Sequence, residues 1–363
     1  MAEQTNIIVF GTGSFAGRIV FDIAATARDP VSITVAGRNL ERLDWLKTAG
    51  NARAVIFERP ATFQSRTVDL SDSDGAADLI AELQPSAVVQ AASPQPSAII
   101  AAKGNAWSQL IAEAGLSAMA VTQTMFSVRV ARAVKAACPD CHFINGAYPD
   151  VGNTIIAAQG LPVTCGVGNV SILASVFAAA LGAREPGRLK VLAHYQTITP
   201  FRHTPETRKG RPPRVWLDDE EIADVHGTLR DVKLTAAPAI DVSGAAGVPM
   251  MLALVSGRAW QGHAPGPHGL PGGYPVSCRD GRLDLALPPA LDREEAVRWN
   301  RKFEEANGLF IDADGRAHYT GVLQEKLHAL SPVLAQGFDV GDFDQVFDSF
   351  ETLRTRLLEQ PEL

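Results

Sequence analysis

Cysteine, aromatic side chains and net positive charge are all scarce in this chain, and each scarcity removes a class of protein. Four cysteines in 363 residues are too few for the disulfide framework that staples small secreted domains. No block of lysine and arginine occurs and the net charge is −7, which argues against nucleic acid or an anionic membrane surface as a partner. Apolar runs are short: Val170 to Leu181 falls below the roughly 20 residues that cross a bilayer. The opening MAEQTN has no basic segment and leads into an apolar run, so no signal peptide and a cytoplasmic location are expected. What the chain has in quantity is apolar residues, 46%, enough to supply the cores of two domains.

The strongest local signal runs from Ile7 to Asn39. Ile7-Ile8-Val9-Phe10 is short and apolar enough for a buried parallel strand. Gly11-Thr12-Gly13-Ser14-Phe15-Ala16-Gly17 follows as a glycine-rich turn, then Ile19, Val20, Ile23 and Ala24 at helical spacing, then a second strand from Ser32 to Ala36. Strand, Gly-x-Gly-x-x-Ala turn, helix and strand form the unit that binds a dinucleotide. Gly11 permits the tight exit, Gly13 lets the backbone approach a pyrophosphate, and Ala16 is small enough for close helix–sheet packing. The second strand ends in Ala36-Gly37-Arg38-Asn39, with no acid before Glu41. A guanidinium suits the 2′-phosphate of NADP, whereas NAD usually meets a carboxylate there. NADP(H) is therefore expected ahead of NAD.

The pattern then predicts a helix from about Asn39 to Ala49, a strand or packed loop at Ala54–Phe57, and a third strand at Thr67–Leu70 that brings Asp69 and Leu70 to the adenine edge. A helix over Ser71–Leu83 and a fourth strand at Ala87–Gln90 follow. The small turn Ala91-Ala92-Ser93-Pro94 sits at a strand's carboxyl end, where open α/β sheets hold ligands. Further expectations are a helix to about Ala114, a strand at Ala118–Val121, a helix over Met125–Ala137 and a sixth strand at His142–Asn145. This alternation makes the chain α/β, with an N-terminal doubly wound parallel sheet over residues 1–146. Residues 147–320 read as a second, α+β domain for substrate and dimerisation, and 321–363 as helices that pack back on the first.

Candidate chemistry is sparser. Cys138-Pro139-Asp140-Cys141 follows a helix end instead of opening a helix and has no second pair, so neither redox nor metal chemistry is expected of it. No histidine spacing marks a metal site. Tyr148 and Asp150 follow a strand on the sheet's carboxyl edge and are candidate catalytic residues. His203 and His263 are candidate proton donors, since histidine titrates near neutrality. Arg202 is a candidate carboxylate clamp, and His268 and Tyr274 lie in a glycine- and proline-rich loop able to shape a pocket.

Gly11 to Arg18, Ala36 to Asn39 and Ala91 to Pro94 together resemble the saccharopine dehydrogenase-like NAD(P)-binding oxidoreductases, over about the first 145 residues. The resemblance implies a Rossmann domain with an inserted α+β domain and chemistry on carbon–nitrogen bonds of amino acids. The function expected is hydride transfer between NADP(H) and a C=N or C=O carbon of a small, carboxylate-bearing, amino-acid-like substrate, by a homodimer. Its cofactor set is Gly11, Thr12, Gly13, Ser14, Phe15, Ala16, Arg38, Asn39, Asp69, Leu70, Ala91, Ala92 and Ser93. Two other readings keep the cofactor: a transferase that uses it as an internal redox group, and a non-enzymatic NADP-binding sensor.

Overall fold

The computed structural model describes residues 5–95, 104–234 and 240–362. Its first sheet has six parallel strands: β1 (Thr5–Phe10), β2 (Val31–Gly37), β3 (Ala61–Thr67), β4 (Ala87–Gln90), β5 (His142–Asn145) and β6 (Cys165–Gly166). They lie in the order β3-β2-β1-β4-β5-β6. The chain winds outward from β1 to one edge and then from β4 to the other, so the connections leaving β1 and β4 part in opposite directions. That divergence opens a crevice at their carboxyl ends. Ile7, Ile8, Val9 and Phe10 are fully buried, because a central parallel strand is covered on both faces.

Helix α1 (Ser14–Thr26) presses Ile19, Val20, Ile23 and Ala24 onto one face of the sheet. α2 (Leu40–Ile56) starts at Asn39, whose side chain accepts a hydrogen bond from the Arg42 N–H at 3.0 Å. α3 (Ser73–Leu83), α4 (Ala106–Ala114) and α5 (Ala120–Ala137) serve the opposite face, and α6 (Pro149–Ala158) follows β5. α7 (Val170–Leu181) leads into an antiparallel sheet of β7 (Leu189–Leu192), β8 (Arg214–Leu217) and β9 (Glu220–Glu221). α8 (Ile240–Ser256) returns to pack on α1. A second antiparallel sheet joins β10 (Trp260–Pro265), β11 (Gly273–Arg279) and β12 (Arg282–Leu285). After α9 (Arg293–Ala306), a third joins β13 (Leu309–Ile311), β14 (Arg316–Tyr319) and β15 (Phe338–Asp339). α10 (Gly321–Leu330) and α11 (Phe343–Leu358) complete the chain's elements. α11 lies against α4 and α5 and adds Phe343, Phe350, Leu353 and Leu357 to the core containing Trp107, Leu110 and Val128. Among the described residues no helix is long and apolar enough to cross a membrane.

Several local expectations change. Ala54–Phe57 is the end of α2, with Ala54 buried and Val55 and Ile56 exposed; apolar content alone does not separate a helix end from a short strand. The third strand lies earlier, at Ala61–Thr67, and Thr67–Leu70 is the segment leaving it, with Val68 and Leu70 turned into the core. Ala118–Val121 is a tight turn running into α5, its apolar side chains buried without strand pairing. His142–Asn145 is the fifth strand, and the sixth is Cys165–Gly166, which pairs with Ile144 and Asn145. The first sheet thus takes its last strand from beyond residue 146.

Candidate functional site

At the end of β1 the backbone turns through Gly11 at φ +132°, where a Cβ would stand 2.9 Å from the Ala91 carbonyl carbon. A side chain there would push the β1 and β4 turns apart. Gly13 precedes α1, and no side chain caps the helix's first N–H groups. The place a Gly13 Cβ would occupy is open space. Unpaired N–H groups and a positive dipole end therefore face a vacancy, which suits an anionic group. Arg42 secures the turn by donating from Nε to the Thr12 carbonyl at 3.3 Å. Buried Gln90 secures its neighbour, donating to the Ala92 carbonyl at 2.8 Å and accepting from the Ala92 N–H at 3.0 Å.

These turns border a cleft of about 470 Å³. The Gly11–Phe15 turn, Arg38, Asn39, Leu70 and the Ala91–Ser93 turn all line it. Ala16 does not; it is fully buried on the inner side of α1. Asp69 is also outside the lining but is tied to it. One carboxylate oxygen accepts from the Ser71 N–H at 2.8 Å, and the other lies 3.6 Å from an Arg38 guanidinium nitrogen. The Ser71 N–H, and then Arg38, hold that carboxyl below its usual range. Ala36, Gly37 and Val68 line it too, and Gln95, Phe126, Gly146, Ala147 and Ile240, which were not expected from sequence, complete the wall. Of these only Gly146, just after β5, carried a positional signal. The donor turn and the single guanidinium at the far end fit a dinucleotide phosphate and its adenosine half.

A second cleft, of about 340 Å³, adjoins the first and shares Phe15, Gly146 and Ile240 with it. Tyr148, Asp150, Asn169, Tyr195 and Arg202 line it among Leu116, Val167, Ile172 and Ile198. Tyr148 holds a left-handed backbone at φ +54° and ψ +58°, which residues other than Gly, Asn or Asp seldom adopt, and Asn169 also has a positive φ, +46°. Tyr148 precedes Pro149, whose ring starts α6. Asp150 is 3% exposed, and one of its oxygens accepts from the Asn169 amide while the other has no partner. Burial pushes its carboxyl up to about 7. Burial likewise raises the Tyr148 phenol, whose hydroxyl is buried without a well-aligned partner.

No protein-family model matches the chain, and no curated protein matches it in sequence. Solved structures do match. The chain shares its fold with malate dehydrogenases. The enzyme from Picrophilus torridus, in its apo form, superposes with a TM-score of 0.57 at 12% identity, over 84% of this chain and 96% of its own. That from Archaeoglobus fulgidus, in complex with NADH, gives 0.56 at 12% identity, over 84% and 98%. That from Salinibacter ruber gives 0.52 at 15% identity, over 84% and 96%. These neighbours give the narrower saccharopine dehydrogenase-like resemblance no specific support.

The remaining sequence candidates lie elsewhere. His203 is exposed and does not line the second cleft, although Arg202 beside it does. His263 accepts from the Val191 N–H through Nε2 at 3.0 Å, and burial pushes its ring down to about 3. It borders a different cavity, about 770 Å³, whose Arg188 and Lys190 are already paired with Asp218 and Asp219 at 2.6 Å. His268 Nε2 lies 2.7 Å from the Leu283 carbonyl. Tyr274 is fully buried, and its hydroxyl donates to the Pro271 carbonyl at 2.7 Å; it braces the loop from within. Cys138 and Cys141 are unbridged, and burial raises the Cys141 thiol to about 12, which keeps it protonated and inert.

Proposed function

We propose that the chain is an NADP(H)-dependent oxidoreductase acting on the C=N or C=O carbon of a small, carboxylate-bearing, amino-acid-like substrate. The observation that carries this reading is the junction of the two clefts. A turn built to hold a dinucleotide phosphate opens, at Phe15 and Gly146, onto a mostly apolar chamber containing a buried phenol and a buried carboxyl. The fold shared with malate dehydrogenases, one of them in complex with NADH, supports a nicotinamide cofactor.

The Gly11–Phe15 turn and the start of α1 hold the pyrophosphate, and Arg38 holds the 2′-phosphate by charge-assisted hydrogen bonds. The nicotinamide, when bound, supplies hydride chemistry. The protein supplies the rest. Leu116, Val167, Ile172 and Ile198 exclude water, Tyr148 and Asp150 hold the proton destined for the substrate oxygen or nitrogen, and Arg202 at the mouth binds the carboxylate.

The test is NADPH oxidation followed at 340 nm with a panel of 2-oxo acids, alone and with amino acids or ammonia. Turnover with at least one, faster with NADPH than NADH, is expected. Product formation without net absorbance change would replace the reading with an internal-redox transferase, and tight NADPH binding without any product would replace it with a sensor.

A further inference from the structure

Among the described residues eight large apolar side chains stand exposed, and five of them belong to one element: Leu40, Trp45, Val55 and Ile56 on α2 and Phe57 at its end. The inner face of α2 is already satisfied. Leu43, Leu46, Gly50 and Ala54 are buried there, against β2, β3 and α1. A surface helix should then turn a polar face outward. Instead Trp45, Thr48, Ala52 and Val55 follow one another at alternating spacings of three and four residues, with Ile56 beside them. All are exposed, Trp45 by 55%, Val55 by 79% and Ile56 by 70%. That spacing is the seam of a two-stranded coiled coil.

The stripe is complementary to itself when reversed. A second α2 laid antiparallel, with Thr48 opposite Ala52, sets Trp45 of each copy over Val55 and Ile56 of the other, and the small pair in the middle lets the helices approach. The same register brings Glu41, in the first turn of each helix, to the end of the other where Arg59 stands. Arg59 is exposed and anchored there, donating from Nε to the Ala25 carbonyl at 3.1 Å. Antiparallel packing also sets the positive dipole end of each helix beside the negative end of the other.

We propose that the outer face of α2 is the contact of a two-fold homodimer, in which the occupant of the stripe is the same stripe on a second copy of this chain. The contact then lies on the first domain and not within residues 147–320. A membrane surface is a poorer match, because Glu41, Asp44 and Glu58 flank the stripe and anionic headgroups repel them. No residue of the stripe lines either cleft, so the inference stands apart from the reaction carried out there.

Sedimentation velocity of the full chain over a range of concentrations, fitted for the dimer dissociation constant, is the test. Wild type is expected to dimerise. Trp45→Ala removes the largest side chain of the stripe from an exposed position, so the protein still folds, and should raise the dissociation constant about 30-fold or more. Glu41→Arg and Arg59→Glu each set like charges together and should weaken the dimer about tenfold, whereas the double variant carrying both restores the pairing and should return to within about threefold of wild type. Val333→Ala, which trims an exposed apolar side chain off α2, should leave the dimer unchanged. A chain that stays monomeric at every concentration overturns the proposal, as does a dimer that Trp45→Ala leaves intact. A double charge variant no tighter than the singles overturns the antiparallel register.

Discussion

Arg38 offers the sharpest test of the cofactor. Its side chain is 66% exposed, and its nearest carboxylate, on Asp69, stands 3.6 Å away. A hydrogen bond to a charged group contributes about 1.5–3 kcal/mol, and solvent screening at so open a site favours the lower half of that range. Taking about 2 kcal/mol, Arg38→Ala should raise the Kd for NADPH roughly 30-fold, at 1.4 kcal/mol per factor of ten. NADH, which lacks the 2′-phosphate, should lose less than about twofold on the same argument. Arg38→Asp adds repulsion and should reverse the preference. Asp69 competes with the phosphate for the guanidinium, so Asp69→Asn should tighten NADPH binding a few-fold while leaving NADH alone. Fluorescence titration of both cofactors measures all of this, and the wild-type preference should shrink in high salt. Equal losses of NADPH and NADH affinity on removing Arg38 would refute the assignment of that residue to the 2′-phosphate.

Four further outcomes are expected. Gly13→Ala should fold with only a slightly lowered melting temperature, since the added Cβ meets nothing within 4 Å, yet lose most dinucleotide binding. Gly11→Ala, at φ +132° and 2.9 Å from Ala91, should instead cost about 1–3 kcal/mol of stability by denaturant titration. The Asp150 carboxyl is pushed from 3.8 up to about 7 by burial. A raised folded-state value favours the fold below pH 4 and loses that contribution as pH rises through 7. Asp150→Asn should therefore gain melting temperature relative to wild type as pH rises from 4 to 7, whatever the other carboxyls contribute to both proteins; an identical pH slope in the variant would contradict this. Tyr274→Phe should cost about 1–3 kcal/mol by leaving the Pro271 carbonyl unpaired without altering NADPH affinity, and a large loss of affinity would return Tyr274 to the site.

The first βαβ unit is legible in the sequence because local pattern and tertiary role coincide there: every residue of Ile7–Phe10 is apolar and every one is buried. The Asp-Gly hairpin joining β13 and β14 is legible for the same reason. β3 is not. It pairs only with β2 at the sheet's edge, and its residues Thr62, Gln64, Ser65 and Arg66 need not be apolar. Ala118–Val121 misleads because α5 is buried along most of its length, and a wholly buried helix shows no polar face by which to recognise it. The dinucleotide turn could be read residue by residue, since each glycine meets a local demand. The chemistry of the second cleft could not. Asn169 and Tyr195 are scattered single residues that the fold alone brings to the same wall as Tyr148 and Asp150, and no spacing announces them.

The closing helix has a consequence for how the protein is made. The helices on one face of the first sheet, α4 and α5, are covered in turn by Phe343, Phe350, Leu353 and Leu357 of α11, and the Ala106 N–H at the head of α4 donates to the Gln360 carbonyl at 2.9 Å. A ribosome delivers the dinucleotide turn long before α11, and the apolar groove between α4 and α5 stays uncovered until the chain beyond residue 343 has emerged. Until then the nascent protein displays greasy surface that invites chaperones or premature association. A truncation that spares every residue of both clefts, ending before α11, should yield aggregate in place of an active fragment.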